Sequence, residues 1–226
     1  MFLDPNKPFS VFSNKGKLSQ CDNALTAALN ASLCVALVSK DGAVLCSHKK
    51  LPKLANHQTY NKVYNVCPTI GVTYAGLQPD FRVCLSLAQR ICFDYYEIYN
   101  RYPSLSVFVN EFCMTMQEYS QKGGPRPFGV YFVFSGANKD GTVGLYKVDP
   151  SGSYKFAESA AAGVGYESAT NFLTRRQGVL DDNITACIGA IREHAGVEIK
   201  SEDISMGVFK NGTFHVYTLD EIEELF

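Results

Sequence analysis

Within residues 117–130 an amphipathic helix, a hard stop and a buried strand follow one another with almost no slack. Gln117-Glu118-Tyr119-Ser120-Gln121-Lys122 continue a helical pattern, and Gly123-Gly124 end it. Pro125-Arg126-Pro127 then form a stiff corner, and an apolar strand starts at Phe128 and runs through Tyr131-Phe132-Val133-Phe134. Glycine supplies the left-handed conformation that closes a helix, and each proline fixes its own φ while pushing the preceding residue toward extended geometry. The helix therefore has to give way to strand at this point.

Around this window the hydrophobic period alternates between that of strands and that of helices. Residues 1–13 hold two prolines and no sustained period, and read as an arm that orders only against something else. In residues 18–30, Leu18, Cys21, Leu25, Ala28 and Leu29 share one helical face. Strand pairs follow at 34–38 with 43–46, joined by Asp41-Gly42, and at 63–66 with 70–74. Two helices come next, one carrying Phe81, Cys84, Leu85, Ala88, Ile91 and Cys92 on a single stripe, the other opening at Ser104 and burying Leu105, Phe108, Val109, Phe112, Cys113 and Met116. Three strands are expected at 128–134, 144–148 and 153–156, then helices at 168–176 and from about 182, then a hairpin turning at Asn211-Gly212. A last helix is capped by Thr218, with Glu221 completing a capping box. Strands in hairpin order need no parallel crossovers, and paired helices can cover whole sheet faces. The order predicts an α+β fold, a four-layer αββα sandwich of two antiparallel sheets covered by helices. One domain is expected over 1–226: an arm through residue 17, the helix at 18–30, and the sandwich with its C-terminal helix over 32–226.

Composition narrows the function. A chain of 226 residues that is 46% hydrophobic can bury one large core. Its 21 basic residues nearly cancel 22 acidic ones, so no global field favours nucleic acid or an anionic membrane, and neither is expected as a partner. No apolar run reaches the roughly 20 residues of a membrane helix, and the start lacks the apolar core of a signal peptide, so an intracellular protein is expected. The eight cysteines contain no Cys-x-x-Cys pair and read as reduced core thiols. Asn30, Asn183 and Asn211 each head a glycosylation sequon, which has no use without secretion.

The local motifs weigh toward structure rather than chemistry. Gly163-Val164-Gly165-Tyr166-Glu167-Ser168 lacks the third glycine of a dinucleotide loop and lies in no βαβ unit, so it reads as helix-capping glycine. His48, His57, His194 and His215 are scattered without metal-ligand spacing, so no metal and no cofactor is expected. Asp181-Asp182 and the acidic residues at 221–224 sit beside helix starts, where they offset the dipole. Lys62, at the mouth of a strand, is by itself a solvated lysine or an anchor for a carboxylate.

Several segments carry a family likeness. The run 117–124 followed by Arg126-Pro127-Phe128-Gly129-Val130, the turn Asp149-Pro150-Ser151-Gly152, the pair Lys49-Lys50, and Val11-Phe12-Ser13 with Gly16 and Leu18 together resemble the alpha subunits of the proteasome. The likeness extends over nearly the whole chain, and Gly76-Leu77-Gln78-Pro79-Asp80-Phe81-Arg82-Val83 points to one subunit type within the family. The family fold is the αββα sandwich of N-terminal nucleophile hydrolases, as the element order predicts.

The resemblance implies an inert relative of a protease. Catalytic beta subunits begin at a processed threonine whose hydroxyl attacks the peptide carbonyl and whose free amine acts as base. Here the corresponding place falls near Ala31, behind an uncleaved helix and without a hydroxyl; His48 stands for the expected aspartate, and Lys62 alone matches. No catalytic residue is therefore expected. In the alpha family the matching lysine lines a pocket that receives an activator's C-terminal carboxylate, a job suited to an ion pair flanked by amide donors. The match requires a one-residue deletion between Lys50 and Lys62. Gly76, Leu77 and Ala31 would be own-subunit neighbours of Lys62, while Gly16 and Asp22 would face the adjacent subunit's pocket.

The gate arm would include Phe9, Val11, Phe12, Ser13 and Asn14, and the family loop Gly123, Gly124, Arg126, Pro127, Phe128 and Gly129. The arm departs from the family pattern: Pro5-Asn6-Lys7, Asn14 and Asn23 stand where Tyr-Asp-Arg, a proline and a tyrosine usually stabilise the open gate, which implies an arm that occludes the pore but contributes weakly to its open state. The implied partners are other alpha subunits in a seven-membered ring, beta-ring subunits, and the regulatory particle or other activators, in cytoplasm and nucleus. Two rivals remain: a hydrolase of the same fold that cleaves itself to expose Ser32 or Cys34, and a free-standing small-molecule enzyme, which would be an active monomer.

Overall fold

The computed structural model describes residues 12–52, 54–57, 59–121, 126–196 and 198–226. Phe9, Val11, Gly123 and Gly124 lie outside the described residues.

Helix α1 (Ser19–Leu29) leads into strands β1 (Cys34–Val38), β2 (Gly42–His48), β3 (Val63–Cys67) and β4 (Ile70–Gly76). Helices α2 (Gln78–Tyr99) and α3 (Leu105–Gln121) follow, then β5 (Val130–Ala137), β6 (Val143–Val148), β7 (Tyr154–Phe156) and β8 (Ser159–Ala162). The chain closes with α4 (Tyr166–Thr174), α5 (Leu180–His194), β9 (Ile204–Lys210), β10 (Thr213–Val216) and α6 (Leu219–Glu223). One sheet has the order β10-β9-β2-β1-β8 and the other β3-β4-β5-β6-β7, with every described pairing antiparallel.

Strand alternation divides the core into layers. Val35, Leu37, Val44 and Cys46 point outward to Leu173 of α4 and to Ile184, Cys187, Ile188 and Ile191 of α5. On the far side, Ile70, Val72, Tyr74, Phe132 and Phe134 lie under Phe81 and Cys84 of α2 and Phe108, Phe112 and Met116 of α3. Phe112 meets Phe132 and Phe134 edge-on, with centroids 5.2 and 5.1 Å away. Between the sheets lie mostly smaller groups: Cys34, Ala36, Ala43 and Leu45 face Val63, Ala75, Val133 and Leu145. This is the expected αββα sandwich.

Three local expectations change. The strand expected from Phe128 begins at Val130, leaving Phe128 buried against the ring of Tyr119 at 4.6 Å. A fourth strand, β8, follows β7; its sequence Ser-Ala-Ala-Ala has little strand propensity, and it forms because the free edge of β1 takes it as a partner from Cys34↔Ala162 to Leu37↔Ser159. Asp41-Gly42 does join β1 to β2, but Gly42 serves close packing: a Cβ there would collide with the carbonyl oxygen of Phe209. The Asn211-Gly212 turn instead uses left-handed backbone, with φ of 53° and 81°. Thr218 caps α6 reciprocally with Glu221, as its sequence predicts.

Phe214 of β10 inserts between the sheets where Gly71 and Gly207 leave room. A Cβ on Gly71 would overlap its ring, and one on Gly207 would lie 2.5 Å from its Cζ. Gly71→Ala and Gly207→Ala are each expected to destabilise the fold by about 1–3 kcal/mol through overpacking. Urea unfolding measures this, and Gly189→Ala, whose added Cβ would meet nothing closer than 3.6 Å, controls for the loss of a glycine.

Candidate functional site

Lys62 is held from both sheets before its side chain is considered. Its backbone N–H donates to Ser205 Oγ of β9 (3.1 Å), and its carbonyl accepts from Thr73 Oγ1 of β4 (3.0 Å). The side chain turns inward, and the residue is only 2% exposed. Its ammonium donates to Ser32 Oγ (2.6 Å) and Ser32 O (3.3 Å) and stands 5.0 Å from the centroid of the Tyr74 ring. The Tyr74 ring stacks on Phe81 at 3.7 Å, and its hydroxyl meets that of Tyr60 at 3.1 Å. The platform beneath Lys62 is thus built into the helix-covered core.

Burial pulls the Lys62 ammonium down to about 8, with nearby Cys34 opposing. The same burial pushes the Cys34 thiol up to about 11. Burial also lowers His48, with Lys62 adding to the effect and Asp203 opposing it. Lys62 is therefore largely charged at neutral pH, yet no described carboxylate forms an ion pair with it. A buried cation without a counter-ion is an incomplete arrangement that an incoming anion would complete.

The hydroxyl opposite Lys62 belongs to Ser32, the residue after the Ala31 near which the resemblance places the nucleophile position. In the unprocessed chain the Ser32 nitrogen is the amide bonded to Ala31. The Ala31 carbonyl accepts the Val164 N–H at 2.8 Å. Gly163 permits this approach, with φ of 103° and a would-be Cβ 2.7 Å from Ser32 O.

Gly76 and Leu77 belong to a second cluster, around Asp80 in the first turn of α2. Asp80 Oδ2 accepts from Arg126 Nη1 (2.6 Å) and from the Gly129 N–H (2.9 Å), while Oδ1 accepts from Arg126 Nη2 (2.8 Å). This bidentate pair holds the Arg126-Pro127-Phe128-Gly129 loop on the start of the helix. The Leu77 N–H donates to the Gly129 carbonyl (3.0 Å). A Cβ on Gly76, at φ 138°, would strike that same carbonyl oxygen. Leu77 stays 46% exposed above it. Phe12, Ser13, Asn14, Gly16 and Asp22 are all exposed; Gly16 sits in a turn where its N–H donates to the Ser13 carbonyl (2.8 Å).

The structure therefore joins Ala31 to Lys62 through Ser32, joins Gly76 and Leu77 to the 126–129 loop, and leaves Gly16 and Asp22 on the surface. The sequence marks Ser32 only as a rival nucleophile and gives no role to Tyr74 or Asp80. An acid just after Pro79 at a helix start was the one available signal for Asp80. Among the described residues no group of His, Cys, Asp and Glu is placed to hold a metal ion, and no helix is long and apolar enough to cross a membrane.

Residues 29–220 match the family described as Proteasome subunit. The chain belongs to the proteasome subunit family. It is 34% identical over 220 residues to the proteasome subunit alpha type-2 of Oryza sativa subsp. indica, covering 95% of this chain and 93% of the relative. It is 36% identical over 222 residues to the alpha type-2-B subunit of Arabidopsis thaliana, with the same coverage. It is 34% identical over 204 residues to the alpha type-2 subunit of Saccharomyces cerevisiae, covering 88% and 82%. In this proteasome subunit the Lys62 and Asp80 clusters both lie within the matched span.

The Asp80 clamp can be tested. Asp80→Ala strands the buried Gly129 N–H and is expected to cost about 1–3 kcal/mol. Arg126→Ala is expected to cost less, because the Arg126 side chain is 61% exposed. Arg126 holds the Asp80 carboxyl below its ordinary 3.8, so the clamp contributes fully above that pH and fades as pH falls through the lower folded-state value. The stability gap between wild type and Asp80→Asn, followed by urea unfolding from neutral to acid pH, should close in that window.

Proposed function

We propose that this chain is a non-catalytic subunit of the outer alpha ring of the proteasome core particle, acting in ring assembly, axial-pore occlusion and docking of activator C-termini. Its neighbours are other alpha subunits of a seven-membered ring, its inner partners are beta-ring subunits, and its outer partners are the regulatory particle or other activators, in cytoplasm and nucleus. The observation that carries this reading is the near full-length match to relatives named proteasome subunit alpha type-2.

The geometry supports it in two ways. With its ammonium pulled down to about 8, Lys62 is largely protonated at neutral pH, and in that form it is no base. Lys62, charged and lacking a carboxylate, suits a chain terminus instead.

Native purification is expected to recover the chain in a large particle, with an intact mass that retains residues 1–31 apart from ordinary trimming at the N-terminus. A mature form starting at Ser32 or Cys34, or an active monomer, would sink this reading. A second test isolates the pocket. Lys62→Met in the assembled particle is expected to leave basal peptide hydrolysis intact while lowering its stimulation by an activator with a free C-terminal carboxylate. The cost of burying the charge is largest below pH 8 and is relieved between about 8 and 10.5, so the variant should be at least as stable as wild type at neutral pH, with the difference shrinking as pH rises.

A further inference from the structure

Strand β3 ends irregularly. Asn65 pairs with Gly71 and Cys67 with Ile70, so one extra residue is accommodated in β3, and Val66 and Cys67 both turn into the core beneath α2. Regular alternation would have sent one of them outward. The bulge sets the Cys67 thiol beside that of Cys92 on α2, within the same buried cluster. The Thr69 hydroxyl lies 3.3 Å from Cys67 Sγ, and the backbone N–H groups of Thr69 and Ile70 point to the same sulfur from the turn after Pro68. That turn is itself fixed, since the Pro68 carbonyl accepts the Phe214 N–H at 2.9 Å.

We propose that Cys67 and Cys92 form a peroxide-responsive dithiol site that closes to a disulfide joining β3 to α2. The donors around Cys67 favour its thiolate: Cys92 pulls it down most, the Thr69 and Ile70 groups add to this, and burial opposes. Cys92 is pushed up in return and stays a thiol. Of the two, Cys67 is the outer, at 6% exposure against 1% for Cys92. The roles of attacking and resolving thiol follow. The Cys67 thiolate attacks one oxygen of hydrogen peroxide, the O–O bond breaks, and the departing hydroxide takes up a proton to leave as water. The product is the Cys67 sulfenic acid. Cys92 sulfur then attacks the Cys67 sulfur, the S–O bond breaks, and the Cys92 proton leaves with the hydroxyl as a second water. Two thiols are oxidised by two electrons in all, and one peroxide is reduced. The other five buried cysteines, at 34, 46, 84, 113 and 187, have no thiol with such donors beside them; burial pushes each of them up.

The assembled particle, treated with hydrogen peroxide, alkylated and digested without reductant, tests this by peptide mapping. The expected product is a crosslinked peptide containing Cys67 and Cys92, lighter by two hydrogen atoms than its separate halves and released by dithiothreitol. In Cys92→Ala the crosslink should vanish, and dimedone should label Cys67 as sulfenic acid. Cys67→Ser should abolish both products, and an unchanged circular dichroism spectrum for each variant excludes misfolding as the cause. Recovery of Cys67 and Cys92 as alkylated thiols under peroxide that oxidises exposed Met114 would overturn the proposal, as would a crosslink from Cys67 to any other cysteine.

Discussion

Phe214 fills space that two absent side chains, at Gly71 and Gly207, leave between the sheets. Five of the other eleven buried residues of that layer are alanines, beside Cys34, Val63 and Val133, so the sheets approach closely while each keeps most of its large residues for the helix-covered faces. This closeness positions the lysine. Ser205 from one sheet and Thr73 from the other grip the backbone of Lys62, so its head can reach Ser32 at the mouth of β1. Opening the sheets by the width of a methyl group would disturb both grips.

The Asp80 clamp organises a separate region by another means. Helix α2 has no side-chain N-cap at Leu77, and its first turn instead carries a carboxylate that binds a loop forty-nine residues away at Gly129. One anion near the positive end of the helix thus answers an arginine and a backbone N–H together. The exposed Leu77 is held above Gly129 as a consequence, on a surface whose backbone is fixed by hydrogen bonds rather than by apolar packing alone.

Much of this was legible from residue patterns. Period and turn chemistry located the hairpins, the paired helices and the capped last helix, and hence the layer order. What escaped notice depends on partners distant in sequence. β8 is a strand only because β1 offers it an edge, and nothing in Ser159-Ala160-Ala161-Ala162 announces that. Gly42 was read as a turn glycine, whereas its space is claimed by Phe209, 167 positions later. Lys62 could be singled out by resemblance, but its partner could not be read to a single residue, because a shift of one position exchanges Ala31 for Ser32. A hydroxyl and a methyl group then trade places opposite the ammonium.

On the proposed reading the site is inert, and that exchange alters the account of why. The difference from a nucleophile-bearing subunit is not a missing hydroxyl, since Ser32 provides one at 2.6 Å from the lysine. It lies in protonation and covalent context. Lys62, pulled down to about 8, is mostly an ammonium at neutral pH and in that form cannot accept that hydroxyl's proton, and in the unprocessed chain the neighbouring nitrogen is an amide with no basic lone pair. What remains is a desolvated cation held by neutral oxygens and an aromatic face, an arrangement that costs stability in isolation. On the proposed reading, a carboxylate reaching this ammonium would supply the counter-charge that the fold withholds. The cost of this unpaired charge and its preference for an anionic chain terminus then have the same cause.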